Sequence, residues 1–294
     1  MKIGPVLITG AGGQLGTDLA LALQSMEVAC ERREDLDIAD DAALEESFAR
    51  VKPTLVLNCA AFHNVDECES QEATAAAVNV RAVKRIAELC KAGGAKLVHF
   101  STNYVFDGRR AEPYGESDLP NPRSVYAITK LGGEHAAISY APDALVVRTA
   151  GLYGTAGSAS KGGNFVQRML SRARAGEPIR MVADQRLSPT YTTDLATGVI
   201  AAVDAGVSGT LHLTNSGSCS WFAFTEAILA IAGVEAEIEA VGTQPRPGDA
   251  DRPLNGVIVT ERLAEPGVAE MRSWHAALAD YMRAAGFAAP AQAS

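Results

Sequence analysis

Two short stretches carry side chains whose types and spacing suit carbonyl chemistry. Ser124-Val125-Tyr126-Ala127-Ile128-Thr129-Lys130 sets a phenol and an ammonium four residues apart, and Ser101-Thr102-Asn103 offers two hydroxyls about a strand-to-helix loop earlier. On a helix, residues i and i+4 share a face, so Tyr126 and Lys130 would stand side by side. A free phenol has a pKa near 10, and lowering it to about 7 takes roughly 4 kcal/mol of preference for the phenolate. One cation about 5 Å away, at an effective dielectric of about 20, supplies roughly 3 kcal/mol of that. Tyr-x-x-x-Lys also arises by chance on surface helices, so its meaning depends on what the rest of the chain builds around it.

The elements that must position these groups are a strand ending near Ser101 and a helix carrying Tyr126, and the composition permits both. At 294 residues the chain exceeds the size at which one hydrophobic core usually stops growing, which implies a large lobe and a smaller one. Hydrophobic residues make up 47% of it, enough to bury sheets on both faces. A formal net charge of -9 argues against nucleic acid or an anionic membrane as the main partner, while leaving room for a local basic pocket. Cys30, Cys59, Cys68, Cys90 and Cys219 are scattered, odd in number and without Cys-x-x-Cys spacing. That usage fits reduced thiols and a cytoplasmic location, with Cys59 and Cys90 in apolar, core-like surroundings. No apolar run approaches the roughly 18 residues of a membrane span, and the N-terminus enters a strand pattern without a signal-peptide layout. The Ala-rich tail from Ala284 to Ser294 reads as frayed.

In the first half, Pro5-Val6-Leu7-Ile8-Thr9 is a short apolar run, and Leu15, Leu19 and Leu23 follow at helical spacing. Between them stands Gly10-Ala11-Gly12-Gly13-Gln14-Leu15-Gly16. Strand, glycine turn and helix bring backbone N–H groups and the positive end of a helix against a diphosphate. Leu15 occupies the last glycine position of Gly-x-Gly-x-x-Gly, but Gly10, Gly13 and Gly16 satisfy Gly-x-x-Gly-x-x-Gly, a variant that points toward the short-chain dehydrogenase type of dinucleotide fold. Val28-Ala29-Cys30 reads as a second strand ending in Glu31-Arg32-Arg33. An acidic residue there accepts from the ribose 2'-hydroxyl of NAD, whereas an arginine meets the 2'-phosphate of NADP. Both kinds are present; Arg32 and Arg33 tilt the choice toward NADPH over NADH without closing it. Asp37-Ile38 precedes a helix from about Asp41 to Arg50, which Asp37 could equally cap.

Thr54 to Ala61 reads as the third strand, running into small residues where a flat cofactor could approach the backbone. Phe62-His63-Asn64-Val65-Asp66 follows at the C-terminal edge, where doubly wound folds bind ligands, which makes His63 a candidate acid, base or cofactor contact. A helix from Glu72 to Lys91 leads to a fourth strand, Lys96 to Phe100, which delivers Ser101-Thr102-Asn103. A hydroxyl there can hydrogen-bond a substrate carbonyl held between it and Tyr126. Alternation of strands and helices through Val147 implies an α/β fold with a doubly wound parallel sheet of the Rossmann type.

Gly10-x-x-Gly13-Gln14-Leu15-Gly16, Asn58-Cys59-Ala60-Ala61, Ser101-Thr102-Asn103-Tyr104-Val105-Phe106-Asp107-Gly108 and Tyr126-x-x-x-Lys130-Leu131-x-Gly133-Glu134 together resemble the extended short-chain dehydrogenases, and more narrowly the dTDP-4-dehydrorhamnose reductase family. The resemblance continues in order through Val147-Arg148-Thr149, Gly163-Asn164-Phe165-Val166, Asp184-Gln185-Arg186-Leu187-Ser188-Pro189-Thr190-Tyr191 and His212-Leu213-Thr214-Asn215-Ser216-Gly217. It implies that Gly10, Gly13, Gln14, Leu15 and Gly16 form the diphosphate loop, that Asp37 and Ile38 meet the adenine side, and that Ala61, Phe62 and His63 meet the cofactor further in. Thr102 and Tyr126 would bracket the carbonyl, and Lys130 would hold the nicotinamide ribose and tune Tyr126. Two departures stand out. The family often has aspartate where this chain has Asn103. Many of its sugar reductases have Ser-Trp after the Arg-Thr, where this chain reads Ala150-Gly151, and loss of that indole is expected to open space and remove a stacking surface.

The second half reads as a smaller C-terminal α+β substrate lobe. Residues 1–150 plus about 191–216 are expected to form the dinucleotide-binding domain, and 151–190 plus 217–294 the substrate-binding lobe. Gly154 to Gly163 has the composition of a mobile loop. Asn164 to Ala175, Thr193 to Ala205, Trp221 to Ala232 and Arg272 to Met282 read as helices, the last with a core stripe of Trp274, Leu278 and Tyr281. Asn164 and Asn103 are candidate substrate contacts. Arg246, Arg252 and their prolines form a loop suited to a nucleotide diphosphate, because arginine makes bidentate pairs with phosphate oxygens.

The expected activity is reduction of the 4-keto group of a nucleotide-activated deoxysugar, with dTDP-4-dehydro-L-rhamnose as the leading substrate and NADPH or NADH as cofactor. Two alternatives stand beside it. One is another sugar-nucleotide reductase or epimerase; the other is a noncatalytic cofactor-binding regulatory subunit like the partner of methionine adenosyltransferase, which the intact Thr102, Tyr126 and Lys130 argue against. No metal-ligand set is apparent, although some relatives hold magnesium at a subunit contact, and dimerisation in related folds leaves a homodimer open.

Overall fold

The computed structural model describes residues 4–156, 163–246 and 248–289. Through the first half, strands and helices alternate as β1 (Val6–Thr9), α1 (Gln14–Ala22), β2 (Val28–Glu31), α2 (Asp41–Val51), β3 (Leu55–Asn58), α3 (Val65–Ser70), α4 (Glu72–Ala76), α5 (Ala82–Gly93), β4 (Lys96–Thr102), α6 (Val125–Tyr140) and β5 (Leu145–Thr149). The second half adds β6 (Leu152–Tyr153), α7 (Phe165–Arg174), β7 (Ile179–Val182), β8 (Arg186–Leu187), β9 (Thr190–Tyr191), α8 (Thr192–Asp204) and β10 (Gly209–His212). It ends with β11 (Asn215–Ser216), β12 (Cys219–Ser220), α9 (Trp221–Ala232), β13 (Ile238–Val241), β14 (Asn255–Gly256), β15 (Met271–Ser273) and α10 (Trp274–Ala284).

Six strands pair in parallel in the order β10-β5-β4-β3-β1-β2, the doubly wound sheet expected from the alternation. β1 and β3 are buried at every position, because helices cover both faces. Period two sorts their side chains. Val6, Ile8 and Leu57 face a core with Leu19 of α1 and Val199 of α8, while Leu7 and Val56 face one with Leu44 of α2 and Ile86 of α5. Each such aliphatic side chain removed from water contributes roughly 1.5–3 kcal/mol. A separate cluster joins Tyr153 to Met169 and Leu170 of α7, Phe224 and Ile228 of α9, and Leu278 and Tyr281 of α10.

The chain order changes direction between β1 and β3, since β2 lies on one side of β1 and β3, β4 and β5 on the other. The loops after β1 and β3 therefore diverge and leave a crevice at the C-terminal edge of the sheet, where such folds take ligands. Three elements differ from the sequence reading. The single helix expected from Glu72 to Lys91 is α4 and α5 joined by a π-helical turn, Ala77–Arg81. The stretch read as loop after Asn64 winds into α3. Arg272 and Ser273 belong to β15, and the last helix starts at Trp274 with Ser273 as its cap. Of the glycine-rich stretch 154–163, residues 157–162 lie outside the described residues.

Candidate active site

At the crevice, the glycine turn is shaped by contacts that no side chain could share. Gly10 has φ +68°, and a Cβ on it would lie 2.7 Å from the Ala60 nitrogen; a Cβ on Gly16 would lie 2.6 Å from the Gly10 oxygen. Strand β1, the start of α1 and the end of β3 thus meet backbone to backbone. Helix α1 begins at Gly13 with no side-chain cap, which leaves its first N–H groups and the positive end of its dipole toward the crevice. The Leu15 side chain is in the core, and the Gln14 side-chain Oε1 accepts from Gly154 N at 2.9 Å, tying the turn to the segment after β6.

The end of β2 separates the three charged candidates. Glu31 turns inward, 7% exposed, and its carboxylate accepts from Ser47 and pairs with Arg50. Arg32 lies over the turn: a Cβ on Gly12 would stand 3.6 Å from its Cγ, and its guanidinium is largely solvent-facing, 3.9 Å from Glu34. Arg33 is exposed. Asp37 is exposed and bonds Ala39 N at 3.0 Å, while Asp40 is the residue that caps α2. Ile38 is 3% exposed within the core, so only its backbone reaches the surface. Ala61 and Phe62 line the crevice partly exposed, and His63 stands exposed beyond them.

Helix α6 brings the candidate reacting groups to the end of β4. Ser124 caps it by accepting from Ala127 N, and Glu69 of α3 accepts from Val125 N, so Tyr126 sits in a pinned first turn. The Thr102 hydroxyl stands beside the Tyr126 phenol, and the Tyr104 ring meets the Tyr126 ring edge-on at 5.9 Å. Desolvation raises the Tyr126 phenol well above its ordinary range, the Thr102 hydroxyl opposing it in part. Lys130 is 3% exposed and donates to the Phe100 carbonyl at 2.6 Å. Burial pulls its ammonium down to about 8, against the attraction of Glu134 and Cys59. This differs from the expected pairing: the ammonium is held by the strand, through its bond to the Phe100 carbonyl. A neutral phenol at neutral pH suits a proton donor.

Two polar rows cross the sheet beneath these groups. In one, Thr9 donates to Asn58 at 2.7 Å and Asn58 meets His99 at 3.1 Å, three residues paired in register on β1, β3 and β4. Burial, with Lys130 nearby, drives the His99 pKa well down. In the other, Ser101, Arg148 and His212 are register partners on β4, β5 and β10, and Glu134 of α6 covers them. Arg148 binds Glu134 with two N–H groups, at 2.9 and 2.7 Å, and approaches His212 at 3.4 Å.

On the substrate side, Asn103 is 4% exposed and donates to Gly256 O of β14 at 2.7 Å, linking the β4 end to a residue 153 positions away. A cleft of about 530 Å³ opens beside it, with Arg109, Arg110, Arg186 and Arg252 among its walls and Asp184 and Asp251 between them. Arg252 pairs with Asp66 at 2.7 Å and lies close enough to Tyr104 to oppose the rise that burial gives its phenol pKa. Among the described residues Arg252 lines this cleft rather than Arg246, which is exposed and bonds Asp249 through its backbone N–H. Asn164 is 2% exposed and closes a capping box with Gln167 while its amide donates to Gly154 O and Tyr281 Oη, each at 2.8 Å. All its polar atoms hold structure. The space expected after Thr149 is filled: Gly151 has φ +55°, and a Cβ there would lie 2.6 Å from Leu187 Cδ1 and 3.2 Å from Pro189 Cα.

Asn79 and Asp18 are the residues that the sequence reading passed over. Asn79 sits on the π-helical turn, 1% exposed; it accepts from Phe62 N and donates to Phe62 O and Thr129, so it holds the loop after β3 against α6. Gly132 and Gly133, costly inside a helix, allow this approach: a Cβ on Gly133 would lie 2.3 Å from Asn79 O. Asp18 ties α1 to Thr192 and Thr193 of α8. Asn79 stands alone among apolar residues from Ala75 to Val80, which is the signal that marks it, whereas Asp18 follows Thr17 and has no such signal.

Among the described residues no group of three or more His, Cys, Asp or Glu side chains is arranged to hold a metal ion, and no helix is long and apolar enough to cross a membrane. The spore coat polysaccharide biosynthesis protein SpsK of Bacillus subtilis is 37% identical over 280 residues, covering 95% of this chain and 96% of that one. The dTDP-4-dehydrorhamnose reductase of Mycobacterium tuberculosis is 38% identical over 287 residues, covering 95% and 92%. The solved structure of dTDP-4-dehydrorhamnose reductase from Bacillus anthracis in complex with NADP superposes with a TM-score of 0.90 at 33% identity, covering 97% of this chain and all of that one. The family model described as the RmlD substrate binding domain matches residues 3–286, and the chain belongs to that family.

Proposed function

We propose that the protein reduces the 4-keto group of a nucleotide-activated deoxysugar, dTDP-4-dehydro-L-rhamnose, with NADPH as the reductant. The observation that carries the reading is the juxtaposition of the Thr102 and Tyr126 hydroxyls at the end of β4, beside the crevice between β1 and β3. The residues around that crevice fit a dinucleotide: the turn at Gly10 and Gly16 has no room for a Cβ, and α1 opens without a side-chain cap. When bound, the nicotinamide supplies a hydride to the carbonyl carbon. Tyr126, held neutral, donates its phenolic proton to the carbonyl oxygen, and the Thr102 hydroxyl orients that oxygen. Lys130, fixed by its bond to the Phe100 carbonyl, offers a buried ammonium to the ribose side.

Two features support the finer choices. The Glu31 carboxylate is occupied by Ser47 and Arg50, whereas Arg32 reaches over the glycine turn, an arrangement suited to a 2'-phosphate and hence to NADPH. The arginine-lined cleft suits the nucleotide diphosphate, with Arg252, one of the two loop arginines expected in that role, on its wall. In this reading the sheet and α8 form the cofactor unit, and the cluster of α7, α9 and α10, with the cleft at Arg186 and Arg252, belongs to the substrate unit. The test follows absorbance at 340 nm with purified protein, NADPH or NADH, and a panel of nucleotide 4-ketosugars. Oxidation of NADPH that drops by at least 100-fold in Tyr126→Phe is expected. No oxidation with any ketosugar, or a Tyr126→Phe rate within about tenfold of the parent, overturns the reading.

A further inference from the structure

We propose that Glu134 and Ser101 form a positioning clamp that sets the approach of Tyr126 to Thr102. Tyr126, Lys130 and Glu134 are spaced by four and share one face of α6. Each meets one of three consecutive residues of β4: Tyr126 the Thr102 hydroxyl, Lys130 the Phe100 carbonyl, and Glu134 the Ser101 hydroxyl, which donates to its Oε1. The helix is therefore fastened to the strand end on the two residues immediately before Thr102. Any slip of α6 along β4 must break both fastenings before the phenol and hydroxyl separate.

Glu134 is itself immobilised. Arg148, the register partner of Ser101, grips both its oxygens, and the two side chains are 5% and 4% exposed. Arg148 in turn lies 5.2 Å over the Phe106 ring and beside His212, whose Nδ1 stands 3.0 Å from Val259 O. A buried ion pair is a poor source of stability, because desolving both charges offsets their attraction and an apolar pair of similar volume is often as stable. What it offers here is direction: a fork of two bonds fixes the carboxylate in a plane, and that plane points at Ser101. Neither Glu134 nor Ser101 touches the carbonyl, so both act through Thr102, Tyr126 and Lys130. The clamp rests on the reductase reading for its kinetic effect but not for its geometric one.

The test uses full-length protein with tyrosine labelled at 13Cζ, the Tyr126 resonance identified by its loss in Tyr126→Phe. Ser101→Ala leaves the Glu134–Arg148 pair intact. It is expected to move the Tyr126 resonance and to lower kcat on the nucleotide ketosugar roughly 10- to 100-fold, a loss typical of a small misplacement, with KM within about twofold. Ser101→Thr, which keeps the hydroxyl, restores both. Glu134→Gln moves the same resonance and lowers the melting temperature as well, since Arg148 loses its counter-charge. An unmoved resonance in Ser101→Ala and Glu134→Gln overturns the clamp, as does an effect of Ser101→Ala that Ser101→Thr fails to reverse. Absence of turnover in the parent overturns the reductase reading alone, because the resonance still decides the clamp.

Discussion

Replacing Lys130 with methionine separates what this residue does for the reaction from what it costs the fold. The side chain is 3% exposed, and its pKa falls from 10.5 to about 8 on burial, so its charged form is disfavoured by about 3 kcal/mol, with the attraction of Glu134 and Cys59 already counted. Methionine of similar length loses the bond to the Phe100 carbonyl, worth about 1.5–3 kcal/mol for a charged donor. At pH 7, Lys130→Met is therefore expected to be as stable as the parent, or up to about 2 kcal/mol more stable, while losing turnover. Below pH 8 the lysine is protonated in both the folded and unfolded parent, and the penalty is constant. Between about 8 and 10.5 the unfolded chain holds the proton and the folded chain does not, so the parent gains stability as pH rises and the variant does not. Urea unfolding of ligand-free protein, followed by tryptophan fluorescence at pH 7 and pH 10, should show the parent overtaking the variant by about 2–3 kcal/mol over that interval. A difference that is the same at both pH values, or a variant more than about 2 kcal/mol weaker at pH 7, refutes the account. The same ammonium gives the parent an alkaline limb near pH 8 in kcat/KM for NADPH, a parameter that reports the free protein.

Three further outcomes are expected. Arg32→Ala should raise KM for NADPH about tenfold or more and leave KM for NADH nearly unchanged, because only the former has a 2'-phosphate to lose; steady-state kinetics with both cofactors checks it. Asn103→Asp turns a donor to Gly256 O into an acceptor facing an acceptor in a site only 4% exposed, so stability should fall by about 1–3 kcal/mol at pH 7. The new carboxyl has a raised folded pKa, so this deficit shrinks as pH falls toward 4, which denaturation across pH 4–7 measures. Gly151→Ala, at φ +55° and against Leu187, should cost about 1–3 kcal/mol in thermal unfolding, and part of that loss should return when Leu187→Ala is added.

The local periodicities and motifs were enough to set out the sheet and to single out the candidate reacting groups. Apolar runs bounded by glycine, followed by helical spacing, are local properties of the chain, so β1 with α1, and α9 to the residue, were legible without coordinates. Tyr126, Lys130 and Thr102 were legible because their chemistry needs particular side chains at fixed spacing. Tertiary structure decided where each functional group points, since that depends on partners far away in sequence. Glu31 and Arg32 are neighbours on the chain, yet Arg50 and Ser47 draw one inward while the turn at Gly12 leaves the other outside. Asn164, read as a substrate contact, is taken up by Tyr281 and Gly154. The gap expected at Gly151 is closed by Leu187, a residue 36 positions on. Lys130 shares a helix face with Tyr126 as its spacing requires, but the carbonyl that claims its ammonium belongs to β4, and only the packing of α6 on that strand could bring the two together.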